Sequence, residues 1–136
     1  MFPRIDKGPI EYYLLIAPAF NVEKQRECLR FTFQTNEEFH HFRYYIAIEH
    51  SIEDKKITFN LKGLKSAGMD MPAVGRAESN VDMFDLAGEY EVEVFKPGDI
   101  KNDFTIYVRS NKPKVSKDIE NEDAFLMVST EAAESV

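Results

Sequence analysis

The sequence predicts an all-β protein that folds as a single antiparallel β-sandwich of seven or eight strands. In several separate stretches apolar and polar residues alternate, which is typical of strands with one buried and one solvent-facing side. No stretch has the period of a convincing helix, and turn residues recur at the spacing of a β-sandwich. The 136 residues, 43% of them hydrophobic, are enough for one core of ordinary size.

The clearest alternation runs through residues 86–95, where apolar residues alternate with glutamates behind Gly88. Tyr90 leads the apolar set and follows Leu86 by four residues, so its phenol hydroxyl can reach back to the backbone just upstream. This arrangement resembles the tyrosine corner that opens strand F of immunoglobulin-like and fibronectin type III-like sandwiches. The resemblance implies an immunoglobulin-like Greek key, and it speaks only to the fold because such sandwiches carry many unrelated activities.

The first two predicted strands occupy residues 10–17 and 28–35. The first is apolar at both alternating sets of positions, which predicts a strand covered on both faces, and Pro18 ends it. The second alternates well, with leucine and phenylalanine side chains pointing inward: Leu29, Phe31 and Phe33.

The middle of the chain predicts further strands. Residues 40–49 form a long strand whose even-numbered side chains face the core. Residues 57–61 form the next strand, whose phase slips at Gly63, where we expect a β-bulge or a strand end. Residues 81–84 and 104–108 supply two more strands, one on either side of the glutamate-rich strand.

The strands define one domain with a tail. Residues 66–80 have no period of their own, and loops of this length inside a compact domain are often functional. Residues 1–113 are interpreted as the sandwich domain and residues 114–136 as an acidic C-terminal tail. The tail contains a short apolar segment, residues 124–128. We favour its packing on its own domain as an added strand, and the alternatives are exchange with a second copy or pairing with another protein.

The charge distribution argues against nucleic acid as a partner. The formal net charge is -7, and residues 116–136 hold six acids and one base. The rest of the chain is nearly balanced, with 18 acids and 16 bases. Neither part has the basic stripe that phosphate backbones require.

Cys28 is the single cysteine, so neither an intrachain disulfide nor a zinc ribbon is predicted. A reducing compartment follows, and we expect a cytoplasmic protein. Export is the alternative, since Arg4 and Lys7 precede an apolar run and residues 17–19 imitate a cleavage site, but Asp6 in the same region opposes it. No stretch approaches the length needed to span a membrane.

No combination of residues points to catalysis. Cys28 lies on the outward side of its strand without a histidine nearby in sequence, and no serine stands in a Gly-x-Ser-x-Gly setting. Three alternating glutamates are interpreted as a solvated ladder on an outer sheet face: Glu89, Glu91 and Glu93. We therefore predict a protein that is not an enzyme and that carries no cofactor.

A calcium site is the metal alternative. Loops at one end of the predicted sandwich bring acidic residues together, and their oxygens suit a hard cation. The candidates are Glu37, Glu38, Asp99 and Asp103. Their spacing matches no compact calcium motif, and acidic residues are ordinary in turns. Binding of calcium or a carbohydrate at this acidic loop end is the alternative function.

Recognition by surface is the predicted function, in a non-catalytic protein-interaction or assembly module. If the strands at 40–49, 86–94 and 104–108 are neighbours, their outer face presents residue types that are enriched at binding hot spots: Arg43, Tyr45, Tyr107 and Arg109. The apolar tail segment is the second candidate surface, through Phe125, Leu126 and Met127. The expected partner is another protein or a second copy of the chain.

Overall fold

Two sheets pack together in this protein, and the all-β class is confirmed. The computed structural model describes residues 10–40, 43–66 and 75–131. Within those ranges the strands are β1 (Tyr12–Asn21), β2 (Arg26–Phe39), β3 (Tyr44–Glu53), β4 (Lys56–Ser66), β5 (Gly75–Met83), β6 (Gly88–Lys96), β7 (Ile100–Arg109), β8 (Lys112–Lys117) and β9 (Leu126–Thr130). In the same ranges no helix has the length and apolar character needed to cross a membrane.

The strands form two sheets. Sheet A has four strands in the order β5-β2-β1-β9, and sheet B has five in the order β3-β4-β6-β7-β8. Most neighbouring strands are antiparallel, but β1 and β9 are parallel, and so are β4 and β6. The expectation of a purely antiparallel sandwich of seven or eight strands is therefore wrong at these two pairs and in its count, since nine strands occur in the described ranges.

The position of β4 corrects one expected adjacency. An immunoglobulin-like order places the third strand beside the sixth, whereas here β4 lies between β3 and β6. The parallel pairing runs from Lys56 opposite Glu91 to Asn60 opposite Phe95, so inward apolar side chains of the two strands lie side by side. Lys56 also reaches across to Glu93 at 3.3 Å, which stabilises this arrangement.

The core lies between the two inner faces. Leu29, Phe31 and Phe33 are fully buried, as their alternation predicted. Phe59 of sheet B packs against both phenylalanines of sheet A, with ring centroids 5.2 Å from Phe31 and 5.0 Å from Phe33. Such tilted and edge-on aromatic pairs add to the free energy gained by burial.

The predicted contact at Tyr90 is present. Its ring is buried, and its phenol oxygen accepts a hydrogen bond from the backbone N–H of Ala87 at 3.0 Å. The Lys55 ammonium lies 4.6 Å from the centre of the Tyr90 ring and donates to the Ala87 carbonyl. The connection from β5 to β6 is therefore held by both the tyrosine and the lysine.

The irregularity expected at Gly63 is also present. The β3–β4 register shifts between Ala47, opposite Gly63, and Ile48, opposite Leu61. Gly63 has a φ of 120°, a value that other residues rarely adopt, so the bulge depends on glycine. The predicted loop at 66–80 is shorter than expected because β5 begins at Gly75. Residues 67–74 of that loop lie outside the described residues.

The C-terminal region belongs to the sandwich. Ser110 and Asn111, with φ of 52° and 58°, form the turn of a β7–β8 hairpin, so a domain boundary at 113 would cut through β8. The next segment crosses from sheet B to sheet A, where β9 pairs with β1. The exposed lysines of β8 led us to predict a solvated tail here, although Pro113 is buried.

Asn102 holds the crossing segment in place. This β7 side chain is fully buried, and its amide oxygen accepts hydrogen bonds from the backbone N–H groups of Phe125 (2.9 Å) and Leu126 (3.2 Å). Its amide nitrogen donates to the carbonyls of Asp123 (3.2 Å) and Lys101 (3.1 Å). A single buried amide therefore fixes the point where the chain enters sheet A.

We expect Asn102→Ala to lower the free energy of unfolding by about 2–3 kcal/mol, because it leaves buried backbone groups without partners. Equilibrium denaturation in urea measures this change. The matched control is Asn80→Ala, which removes an exposed asparagine hydrogen-bonded to Thr32, and it should cost less than about 1 kcal/mol. Equal losses in the two variants would contradict the role given to Asn102.

Candidate binding surface

The two sheets of the sandwich differ in lysine content. No strand of sheet A contains a lysine. In sheet B, β4 and β8 contain three lysines each, and β6 and β7 contain one each. Protein interfaces are depleted in lysine and enriched in tyrosine, methionine and arginine. The outer face of sheet A is therefore the candidate binding surface.

Side chains on this face lie in rows across the four strands. One row consists of Glu78, Gln34, Tyr13 and Met127, and the next consists of Asn80, Thr32, Leu15 and Ser129. Each row begins with polar residues on β5 and β2 and becomes more apolar at β1. Leu15 is 36% exposed and Met127 is 46% exposed, so part of the apolar side remains accessible.

In the polar half of the face, side chains of β2 form hydrogen bonds with side chains of β5. Three cross-strand pairs follow one another along β2 and β5: Gln34–Glu78 (3.0 Å), Thr32–Asn80 (2.7 Å) and Arg30–Asp82 (2.7 and 2.9 Å). Because each side chain has a partner, this half keeps its shape when water is displaced. A binding partner would meet a preformed surface.

A shallow groove of about 390 Å³ lies where the two halves meet. Its lining consists of Tyr13, Leu15, Thr32, Gln34, Arg76, Glu78 and Ser129. The Arg76 guanidinium lies 5.6 Å from the centre of the Tyr13 ring, and the Tyr13 hydroxyl donates to Asn36 at 2.9 Å. In the described ranges Arg76 forms no ion pair, so its charge is available to a bound group.

The sequence contained a signal for this surface that we interpreted differently. Residues 10–17 are apolar at both alternating sets of positions, and we expected both faces of that strand to be covered. In the structure Leu14 and Ile16 are buried, whereas Leu15 stays partly exposed on the outer face. Among the described residues no element covers that side of β1. The second apolar set therefore marks a surface.

The predicted face of two arginines and two tyrosines does not form one patch. Tyr45 pairs with Lys65 near the end of β4, and Tyr107 pairs with Glu89 at the start of β6. The register of β4 against β6 separates the two tyrosines by roughly 30 Å along the strand direction. Arg43 and Arg109 are exposed, but Arg43 is two residues from Tyr45 and Arg109 is two residues from Tyr107, so the arginines are separated in the same way. The alternation that predicts Arg43 and Tyr45 on the outer face also predicts His41 there, and His41 lies outside the described residues.

The apolar tail residues are divided between core and surface. Phe125 and Leu126 are buried in the protein's own core, and the Phe125 ring packs edge-on against Tyr12 at 6.3 Å. They are therefore not available to a partner, contrary to their expected role. Met127 points to the other side of β9 and belongs to the candidate binding surface.

The predicted calcium ligands are not brought together. Glu37 and Glu38 are exposed on β2 of sheet A, Asp99 lies in the turn between β6 and β7, and Asp103 is on β7 of sheet B. In the part of the chain that the structure describes, the carboxylate oxygens that lie within 4.8 Å of one another belong to Glu91, Glu93 and Asp103. Only Asp103 is common to both groups.

Glu93 is paired with lysines and is not a solvated ladder residue. It is nearly buried, with Lys56 at 3.3 Å and Lys101 at 3.2 Å. Lys101 also lies 3.9 Å from Asp103, and its hydrogen bond to Glu93 raises the pKa of the lysine. Protein ammonium groups therefore already lie beside the carboxylates that a metal ion would need.

Cys28 is fully buried, although its strand position faces outward. Asp82 lies beside it and also accepts a hydrogen bond from Asn21 at 2.8 Å. Burial and the Asp82 carboxylate raise the pKa of the Cys28 thiol, so it stays protonated near neutral pH. Hydrogen bonds from Arg30 hold the pKa of Asp82 below its ordinary value.

Comparison of this chain with protein-family models, with curated proteins and with solved structures finds no match in any of the three. The structure therefore defines the class of the protein and not a family. It is an all-β protein of two packed sheets, with one outer face that lacks lysine.

The Asp82 carboxylate should make stability depend on pH. Its pKa is lower in the folded protein than the ordinary 3.8, so its contribution is complete above that value and is lost as the pH falls through the folded-state pKa. We expect Asp82→Asn to lower the free energy of unfolding by about 1–2 kcal/mol at neutral pH, given that Arg30 is partly exposed.

Urea denaturation of wild type and Asp82→Asn at neutral pH and near pH 3 checks this expectation, and the difference between the two should shrink at the lower pH. The control is Asp85→Asn, whose partner Arg26 is well exposed, and its cost should stay within about 0.5 kcal/mol. A difference for Asp82→Asn that grows as the pH falls would contradict the assigned pKa direction.

Proposed function

We propose that this protein is a non-catalytic interaction or assembly module that binds another protein through the outer face of sheet A. The observation that carries this proposal is the contrast between the two sheets: the strands of sheet A have no lysine and expose Leu15 and Met127, and the strands of sheet B contain eight lysines. Binding of a partner to sheet A does not require removal of water from any lysine ammonium group of this face. On sheet B a partner would have to displace water from several lysines and glutamates.

The groove and Met127, which lies next to Tyr13 on β9, suit a binding hot spot. Complete burial of a leucine or methionine side chain stabilises a complex by roughly 1.5–3 kcal/mol. Tyr13 adds a rigid aromatic ring beside them, and Arg76 offers several N–H donors to a carboxylate or carbonyl of the partner. The hydrogen-bonded polar half supplies a flat surround that needs little rearrangement.

An immunoglobulin-like relationship is a separate proposal about the fold. The hydrogen bond between Ala87 and Tyr90 supports it, and the position of β4 between β3 and β6 counts against it. The binding proposal depends on neither point because it rests on the composition of one sheet face.

Site-specific photo-crosslinking in the cells that produce the protein tests the binding face. A benzoyl-phenylalanine at position 15 should give adducts with a partner protein, and the same residue at position 107 should not. Tyr107 is a matched position because it is 46% exposed and lies on the outer face of sheet B. Adducts from position 107 with none from position 15 would overturn the proposal.

The captured partner, once purified, allows the affinity to be compared among variants. We expect Leu15→Glu and Met127→Glu each to weaken binding at least about tenfold, since each places a charge in a desolvated contact. The control Tyr107→Glu should change the Kd less than about twofold. Thermal melts of all three variants show whether they stay folded, and equal losses in all three would contradict the assignment of the face.

A divalent-cation site is the second candidate function, and carbohydrate binding at the loop end stays a prediction. The observation that favours a cation is the close grouping of Glu91, Glu93 and Asp103. Calcium would have to displace Lys101 from between two of these carboxylates. If it does so, millimolar calcium should raise the melting temperature by several degrees in wild type and not in Glu93→Gln. An identical melt with calcium and with chelator rejects this candidate.

A further inference from the structure

Among the described strands, three of the four sheet edges are protected against further pairing. β8 contains Pro113 and three lysines, and both residue types are common on edge strands because they oppose pairing with another strand. The edges formed by β3 and β5 lie side by side, because the Ser79 hydroxyl accepts the Ile46 N–H (2.9 Å) and donates to the Ile46 carbonyl (2.6 Å). The fourth edge, β9, contains neither a proline nor a charged residue.

The outer side of β9 presents backbone groups in the spacing that a further strand needs. Its parallel pairing with β1 begins where the Tyr12 N–H donates to Phe125 and ends where the Glu131 N–H donates to Ile16. In that register Met127 and Ser129 direct their backbone groups to β1, and Val128 and Thr130 direct theirs away. In ranges 10–40, 43–66 and 75–131 no strand pairs with that side of β9, although the Leu126 N–H there is bonded to Asn102 and β8 lies near β9 without pairing with it.

Exposed acids flank β9 in the chain. Glu122 and Asp123 precede the strand, and Glu131 follows it directly. None of them forms an ion pair with another described residue. A second copy of the chain would bring the same carboxylates together in an antiparallel pairing, and each copy already carries a net charge of -7. The charge pattern therefore favours a segment with lysine or arginine at its ends.

We infer that the outer edge of β9 accepts an extended segment of another protein, basic at both ends, as a fifth strand of sheet A. The added strand takes up the N–H and C=O groups of Val128 and Thr130. Its alternate side chains lie next to Met127 and continue the apolar side of the candidate binding surface. This inference deepens the proposed function, because it specifies the chemistry of the partner, and it uses a different set of contacts from the groove.

The first test uses a synthetic peptide with the sequence Lys-Lys-Val-Thr-Val-Thr-Val-Lys-Lys and the ¹⁵N-labelled chain of 136 residues. Titration followed by NMR should shift the amide signals of Val128 and Thr130 and slow their hydrogen exchange at least about tenfold. The amides of Met127 and Ser129, already bonded to β1, should change less in exchange rate. Shifts confined to other parts of the protein, or none at all, would overturn the inference.

A peptide with glutamates in place of the lysines tests the charge requirement. It should bind at least about tenfold more weakly, and added salt should weaken the lysine peptide selectively. Equal binding by the two peptides would overturn the assignment of a basic partner.

Backbone variants test whether strand pairing is the mode of binding. Thr130→Pro removes an outward N–H without removing a bond to β1, and the control Thr130→Val keeps that N–H. We expect the proline variant to lose at least about tenfold in peptide affinity and the valine variant to bind as wild type. Equal affinities in the two variants would contradict strand addition.

The peptide provides the same test without changing the protein, should Thr130→Pro fail to fold. N-methylation of every second residue of the peptide blocks one of its edges. N-methylation at one of the two alternating sets of peptide positions should abolish binding, and N-methylation at the other set should leave the affinity unchanged. Equal binding by the two N-methylated peptides would reject strand pairing. Failure of the groove proposal and failure of the edge proposal are distinguishable, because crosslinking at position 15 reports on the groove and the exchange rates of the Val128 and Thr130 amides report on the edge.

Discussion

The hydrogen bonds of Asn102 join the two sheets at the point on which the candidate surfaces depend. This fully buried amide lies on a strand of sheet B, and it binds the backbone of the segment that becomes the last strand of sheet A. Phe125 and Leu126 of this segment are buried in the core. Because side chains alternate along β9, Met127 then lies on the outer face. The apolar row on sheet A and the open edge beside it both follow from that placement.

Features that depend on local sequence were predictable. The inward side chains of β2, the bulge at Gly63 and the hydrogen bond at Tyr90 all follow from short-range periodicity or from one residue's conformational requirement. Features that depend on which strands become neighbours were not. Nothing in the residues of β4 indicates a parallel partner, and this pairing separates Tyr45 from Tyr107. Glu93 looked solvated because its two lysine partners come from other strands.

The candidate binding surface was only partly visible in the sequence, for the same reason. The double apolar pattern around Leu15 was apparent, but its outer set could be read as covered or as exposed, and only the strand order distinguishes the two. Lysine is absent from four separate segments, β1, β2, β5 and β9. Only the strand order shows that these four segments form one sheet, so only the structure shows a surface without lysine. Binding depends on the composition of that surface and not on the composition of any single segment.

The parallel pairing of β1 with β9 also has a consequence for biosynthesis. The two strands are far apart in the chain, so sheet A can close only after β9 and all the strands between it and β1 have left the ribosome. Until then β1 has β2 on one side and an unfilled position on the other. A nascent chain in this state exposes backbone groups that neighbouring nascent chains could pair with, which makes the interval before closure the period of greatest risk of aggregation.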